Sequence, residues 1–254
     1  MSPIPTFVLL LAATARAGVP GVHVDQATSA WHDGQNRSLV FRGINFVQKG
    51  SPYYPTITAS DFAGMEAMGT NVVRLGVMMY GLFPEGPTAS AAYLKTIGGI
   101  IDSLWAKGIM TIIDLHQDVL APKLCGEGTP DWMLNVSTLN AMPFPEPVVL
   151  HGVPADPATG TYPNKSCAAT GLLKFIGWSE FYMTDACGKA FQQIYDGTPN
   201  AAAPPPGTPP LSYIFDAYWR VVSSHFKGHP GVLAYEVRVG KGGSGGVLWW
   251  CPVL

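Results

Sequence analysis

Four short apolar runs, separated by stretches of helical periodicity, constrain this chain more than any other feature. The runs cover 39–47, 71–77, 109–116 and 231–237 and are rich in β-branched and aromatic residues. Between them, apolar residues recur at helical spacing. A short helix is expected over 61–68, capped by Ser60-Asp61 and stopped by Gly69. A longer one covers 89–107, with Tyr93, Leu94, Ile97, Ile101 and Leu104 on one face and Gly108 at its end. Two more are expected over 179–194 and 211–227, the latter carrying Tyr218, Trp219, Val222 and Phe226 on one side. Strands that alternate with helices make a parallel sheet or barrel, because a parallel connection needs a crossover element. The 254 residues equal a complete (β/α)8 barrel of about 250 residues in length. Only four βα units are read, so the expected fold is α/β, of TIM-barrel type, with about the first half of the barrel present.

Between the third strand and the third helix lies an irregular region, 118–177, dense in proline and glycine. A loop of that length inside a compact domain usually carries function. Residues 201–210 are a Pro/Ala surface excursion. The tail, 238–254, is first glycine-rich and then apolar, neither a helix nor a fifth βα unit. Charged residues are 13% and hydrophobic ones 47% of the chain, which excludes intrinsic disorder. The net charge is −2 and the 15 Lys and Arg are scattered, so no basic stripe supports nucleic-acid binding.

The first 17 residues read as a secretion signal. An apolar run, Phe7 to Ala13, precedes the small-x-small site Ala15-Arg16-Ala17. The run is far shorter than the roughly 20 residues of a membrane span. The alternative is a leader with an accidental apolar patch. Asn36, Asn135 and Asn164 head Asn-x-Ser sequons, in keeping with a secreted or secretory-lumen location. The four cysteines allow three pairings, and a Cys125–Cys167 bridge would clip the long loop.

Parallel α/β folds place functional side chains where strands exit at their C-terminal ends. The first strand leads to Lys49, and the second carries Arg74 near its exit. The third leaves through Asp114, His116 and Asp118, which share one parity and project to one side. An apolar strand ending in three alternating polar groups makes a poor core and a plausible site. The competing reading is a structural hydrogen-bond network. His-x-Asp and the pair His225 and His229 raise a metal reading, but Pro230 ends that helix and favours a plain C-terminal decoration; His23, His32 and His151 lie in expected loops. Neither a metal nor a cofactor is expected. Glu236 reads as an acid or as an interior carboxylate paired with Arg74. Trp132 and Trp178 either stack on sugar faces or anchor the loop.

Arg42-Gly43-Ile44-Asn45-Phe46-Val47-x-Lys49, Gly69-Thr70-Asn71-Val72-Val73-Arg74-Leu75-Gly76-Val77, Asp114-Leu115-His116-Gln117-Asp118 and Gly126-Glu127-Gly128-x-Pro130-Asp131-Trp132 stand in this order along the chain. Together these segments resemble glycoside hydrolase family 5, in particular its endoglycoceramidase branch. Thr184 to Gln192 and His229 to Glu236 extend the match, which covers about 20–237. The resemblance implies a secreted (β/α)8 barrel that cleaves a β-glycosidic bond by a retaining mechanism, using two glutamates about 5–5.5 Å apart. It implies that Lys49, His116 and Asp118 bind the sugar beside the scissile bond and that Arg74 orients the nucleophile. The implied partner is a glycolipid or oligosaccharide, with transient contact to a membrane surface.

The chain departs from the family where the fourth strand should run into Asn-Glu-Pro. Those places hold Val239-Gly240-Lys241. Glu236 precedes the acid/base position by four, and no segment matches the nucleophile strand. The expectation is the first half of a barrel, 18–237, followed by an unrelated tail, as an incomplete gene model or truncated isoform would give. Such a chain lacks both catalytic glutamates and is expected to be inactive. Its rivals are a non-catalytic glycan or glycolipid binder and a fragment that does not fold.

Overall fold

A computed structural model describes residues 21–134, 139, 142–150, 152–154, 156, 158, 162, 178–195, 211–237 and 249–252, leaving out the side chains of 178, 194–195, 211–215, 237 and 249–252. Two two-residue strands, β1 (His23–Val24) and β2 (Trp31–His32), form an antiparallel hairpin. His23 and His32 therefore face each other across a strand pair instead of lying in loops. So short a pairing has no periodicity to betray it.

The main sheet has five strands in the order β3 (Gly43–Phe46), β4 (Val72–Gly76), β5 (Met110–Asp114), β6 (Val232–Val237) and β7 (Trp249–Pro252). The first four are parallel. This is the arc of a TIM barrel that the alternating pattern predicts. Within the tail, β7 is a strand, paired antiparallel to β6. It is no βα unit, but it pairs the outer side of β6, so that β3 and β7 are the two edges of the sheet among the described residues.

The crossover helices form where capping and periodicity agree. Helix α1 (Ala59–Ala67) begins at Thr58, not at Ser60-Asp61. Thr58 accepts from the Asp61 amide, and Asp61 returns the bond to the Thr58 amide at 2.7 Å, a reciprocal cap. A one-turn helix, α2 (Met79–Leu82), follows β4. Helix α3 (Ala91–Trp105) starts at Ser90, whose hydroxyl accepts from Tyr93 N. Helix α4 (Asp185–Tyr195) starts six residues later than the apolar pattern suggests. A 3-10 turn over Trp178–Met183 precedes it, and the Thr184 hydroxyl accepts from Cys187 N. Helix α5 (Leu211–Phe226) matches the expected span.

Val73, Leu75, Ile113 and Leu115 point to one face of the sheet and are buried against Met65 of α1, Ile97, Ile101 and Leu104 of α3, and Tyr218 and Val222 of α5. Each such side chain contributes about 1.5–3 kcal/mol relative to exposure. The Tyr218 hydroxyl donates to Val77 O at 2.5 Å, fastening α5 beneath the β4 exit. A smaller cluster of Val72, Met110, Leu233 and Ala234 packs with Trp31 and Phe41 at the amino ends of the strands. The hairpin thus packs against the amino-terminal end of the arc.

Candidate active site

Register decides which polar groups meet. Arg74 of β4 lies beside Ile112 of β5, and one pleat further on Gly76, Asp114 and Glu236 stand in one row. All project to the face opposite the helices, because residues two apart share a face. The Arg74 guanidinium reaches up from its own row into the next. Nε donates to Glu236 Oε2 at 2.5 Å and Nη2 to Glu236 Oε1 at 3.1 Å. Nη2 also lies 2.9 Å from Asp114 Oδ1, an ion pair without hydrogen-bond alignment. Of the two readings of Glu236, this is the interior carboxylate paired with Arg74. Asp114 is fully buried, and a carboxylate there is tolerable only with such a partner. Burial works against the Arg74 charge, but the Glu236 hydrogen bond and the charges of Asp114 and Glu236 outweigh it and hold the guanidinium protonated.

The row continues outward along the β5 exit. His116 Nδ1 faces Asp114 Oδ2 at 3.0 Å, which orients the ring, and its Nε2 faces Asp118 Oδ2 at 3.3 Å. Asp118 Oδ2 accepts from Lys49 Nζ at 2.7 Å, and the ammonium also pairs with Glu127 Oε1. Glu236, Arg74, Asp114, His116, Asp118, Lys49 and Glu127 therefore form one chain of contacts across the carboxyl ends of β3 to β6. Burial favours a protonated Asp118, yet bonds from Lys49 and Glu127 and the nearby charges hold it below the usual carboxylate range. Glu127 goes the other way: burial first, and then Asp118, push it up despite Lys49. Lys49 loses from burial and gains more from the two carboxylates, so its ammonium is held more firmly than usual.

Lys49, Arg74, His116 and Asp118 are thus brought together from three strands. The indole N–H of Trp132 donates to Phe83 O at 2.9 Å, and the ring packs partly buried against the core, the geometry of a loop anchor. Trp178 lies in the 3-10 turn, its side chain outside the described residues, as are His151, Val239-Gly240-Lys241 and the proposed Cys partner, Cys167. Cys125 is disulfide-bonded, and Cys187 is free and buried. His229 Nε2 meets Asp102 of α3 at 3.1 Å and its Nδ1 accepts from Gly231 N, so it ties α5's end to its neighbours.

Sequence reasoning missed Glu127 as a site residue. The signal was a carboxylate flanked by two glycines, whose meaning depends on how the loop folds back. Among the described residues, His116, Asp118 and Glu127 bring one ligand-type atom each within 4.8 Å of one another. Lys49 already bridges two of them and supplies the positive charge that a metal would bring. An open cleft of about 480 Å3 beside α4 is lined by Met142, Tyr182, Thr184, Asp185, Lys189 and Gln192; the charged network lies at the strand ends instead.

The comparisons with known proteins agree with this architecture. The profile of the cellulase family, glycosyl hydrolase family 5, matches residues 32–238. This chain belongs to glycosyl hydrolase family 5. An endoglycoceramidase of Hydra vulgaris is 34% identical over 225 residues, which are 85% of this chain and 40% of that protein. One from Cyanea nozakii is 29% identical over 250 residues, covering 92% of this chain and 46% of that one. The chain therefore spans less than half the length of these relatives. Endo-glycoceramidase II from a Rhodococcus species, in its ganglioside GM3 complex, shares the fold with a TM-score of 0.57 at 22% identity, over 80% of this chain and 40% of its own. The arc of four parallel strands is the first half of the family's (β/α)8 barrel.

Proposed function

We propose that the strand-end network grips one sugar unit of a glycosphingolipid-like β-glycoside, and that a protein of these 254 residues binds such a glycan without cleaving it. The observation that carries the reading is the convergence of Lys49, His116 and Asp118, donors and acceptors held on two strand exits of a family 5 fold. Sugar hydroxyls are recognised by such mixed sets. Lys49 donates, and ionised Asp118 accepts with a charge-assisted bond. Arg74 bonds Glu236 and Asp114 through Nε and Nη2 alone, and the family resemblance gives it the role of orienting a nucleophilic carboxylate. The kinship with endoglycoceramidases supports the glycolipid class.

Inactivity rests on Val239-Gly240-Lys241, which stand where the family carries its acid/base glutamate. Without that group the chain forfeits about 10²–10⁴-fold of general acid–base assistance. Glu236 does not replace it, because both of its oxygens are taken by Arg74. The apolar leader and the disulfide at Cys125 support export to an oxidising compartment, where contact with glycolipid at a membrane surface fits the substrate class.

The test is a fluorescent β-lactoside incubated with the purified chain. Saturable binding with no release of fluorophore is expected. Robust turnover would overturn the inactive reading, and absence of binding at millimolar ligand would overturn the site.

A further inference from the structure

Two tyrosines border the strand-end network on the side of β3 and β4. Tyr53 follows Lys49 by four residues, and its N–H donates to Gly50 O at 2.8 Å, closing a turn. Tyr80 lies in α2, and its N–H donates to Gly128 O at 2.9 Å. Gly128 follows Glu127, which exchanges both main-chain hydrogen bonds with Asp118, at 2.7 and 3.0 Å, a two-way clip onto the β5 exit. The two tyrosine rings stack, with centroids 4.7 Å apart and planes inclined by 20°. Both are partly exposed. Tyr53 packs against the margin of the main core, whereas Tyr80 joins neither apolar cluster.

The backbone beneath the pair is fastened without the rings. The Tyr93 hydroxyl of α3 donates to Tyr53 O at 2.8 Å and accepts from Met78 N at 2.8 Å, so one side chain ties both segments together. A Cβ at Gly81 would lie 2.3 Å from the Tyr93 ring, so only glycine lets α2 rest there. Tyr53 takes φ +67°, a left-handed backbone that disfavours any residue with a Cβ and suits glycine. Two large rings in a framework that does not need them, one of them on a strained backbone, point to a use outside folding.

The edge of the pair is polar. The Tyr53 hydroxyl hydrogen-bonds with Tyr80, and the Asp131 carboxylate is near enough to act on it. A pyranose has the same make-up, an apolar C–H face with hydroxyls around its rim, and tyrosine offers an apolar face and a polar tip to match. An alkyl chain laid here would cover the hydroxyls and the carboxylate without pairing them, which costs their desolvation.

The geometry points to the Tyr53–Tyr80 pair as a ledge for a second sugar: one unit sits in the strand-end network, and its β-linked neighbour lies with its C–H face on the Tyr80 ring, which Tyr53 backs. This rests on the sugar-binding reading above and narrows it to glycans of at least two units.

NMR of the full chain tests this by following the Tyr53 and Tyr80 ring signals and the affinities for methyl β-glucoside, lactose and octyl β-glucoside, in wild type, Tyr80→Ala and Tyr53→Gly. In wild type, lactose should bind about tenfold more tightly than methyl β-glucoside, and should move both ring signals where the single sugar does not. Tyr80→Ala should bring lactose down to the level of methyl β-glucoside. Tyr53→Gly, which relieves the backbone, should lose most of the same advantage. A lactose advantage that survives both substitutions overturns the ledge. Ring signals that lactose leaves still overturn it as well, and that readout needs no variant to fold. Ring signals that answer to octyl β-glucoside and not to lactose give the ledge to a lipid tail and overturn the proposal. Equal affinity for methyl β-glucoside and lactose in wild type overturns the ledge while the single-sugar grip stands. Absence of binding by every probe overturns the grip and the ledge together, and so is told apart from failure of the ledge alone.

Discussion

Strands β3 and β5 both deliver site residues, and they do so differently. Strand β5 is buried on both faces, with neighbours on both sides, and its exit is pinned by the clip between Asp118 and Glu127. Strand β3 is an edge, alternately exposed, and Lys49 follows it by three residues with its side chain half in water. The carboxylates are held by the backbone pairing of their own exit, while the cation reaches them on a half-exposed stem. The contrast predicts that damage on the β5 side costs stability and damage on the β3 side costs binding.

The largest effect is expected at the root of the network. Arg74→Met leaves the fully buried Asp114 and the partly buried Glu236 without their cation. Breaking a buried pair from one side costs about 3–5 kcal/mol, read as a lower urea midpoint. A loss under about 1 kcal/mol would show that β5 is not braced through Arg74. Next is Gly128→Ala, where the added methyl meets the β5 exit at φ +123°. Overpacking of this kind costs about 1–3 kcal/mol. An unchanged midpoint would mean the clip gives way freely. Lys49→Met should cost no more than about 1 kcal/mol, as a half-exposed pair does, yet abolish measurable lactose binding. Equal losses from Lys49→Met and Gly128→Ala in both assays would erase the distinction between the strands.

Acid titration gives the smallest and finest test. The folded pKa of Asp118 lies below its ordinary 3.8, so its contribution is complete above that value and is lost as pH falls toward the folded one. The folded pKa of Glu127 lies above its ordinary 4.5, so its ionised form disfavours folding, and stability falls as pH rises from 4.5 through the raised value. Glu127→Gln should remove the second slope and keep the first, as followed by denaturant midpoints across the acid range. Retention of the upper slope in that variant would assign it to another group, Asp131 being the candidate, since burial raises it too.

What the sequence discloses follows the range of its physics. Asp114, His116 and Asp118 are legible because a strand alternates faces every residue, so three polar groups at one parity must share a side. Arg74 and Glu236 are legible as partners because parallel register stacks rows. Glu127 is not, because its place depends on a loop folding back across nine residues, and two glycines signal constraint without saying toward what. The hairpin β1–β2 is too short for any period. The tail strand β7 owes its pairing to an open neighbour edge, a tertiary circumstance that local composition does not encode. The start of α4 is displaced because apolar spacing continues through a 3-10 turn that packs the same face.

The central claim is that polar groups from β3, β4 and β5 converge to bind one sugar unit. Titrating lactose into the nitrogen-15-labelled chain, with amide and side-chain shifts followed residue by residue, tests it most directly. Saturable shifts centred on Lys49, His116, Asp118 and Glu127, and lost in Lys49→Met, are the predicted result. Shifts that do not saturate, or that gather in the cleft beside α4 while the strand ends stay still, would contradict it.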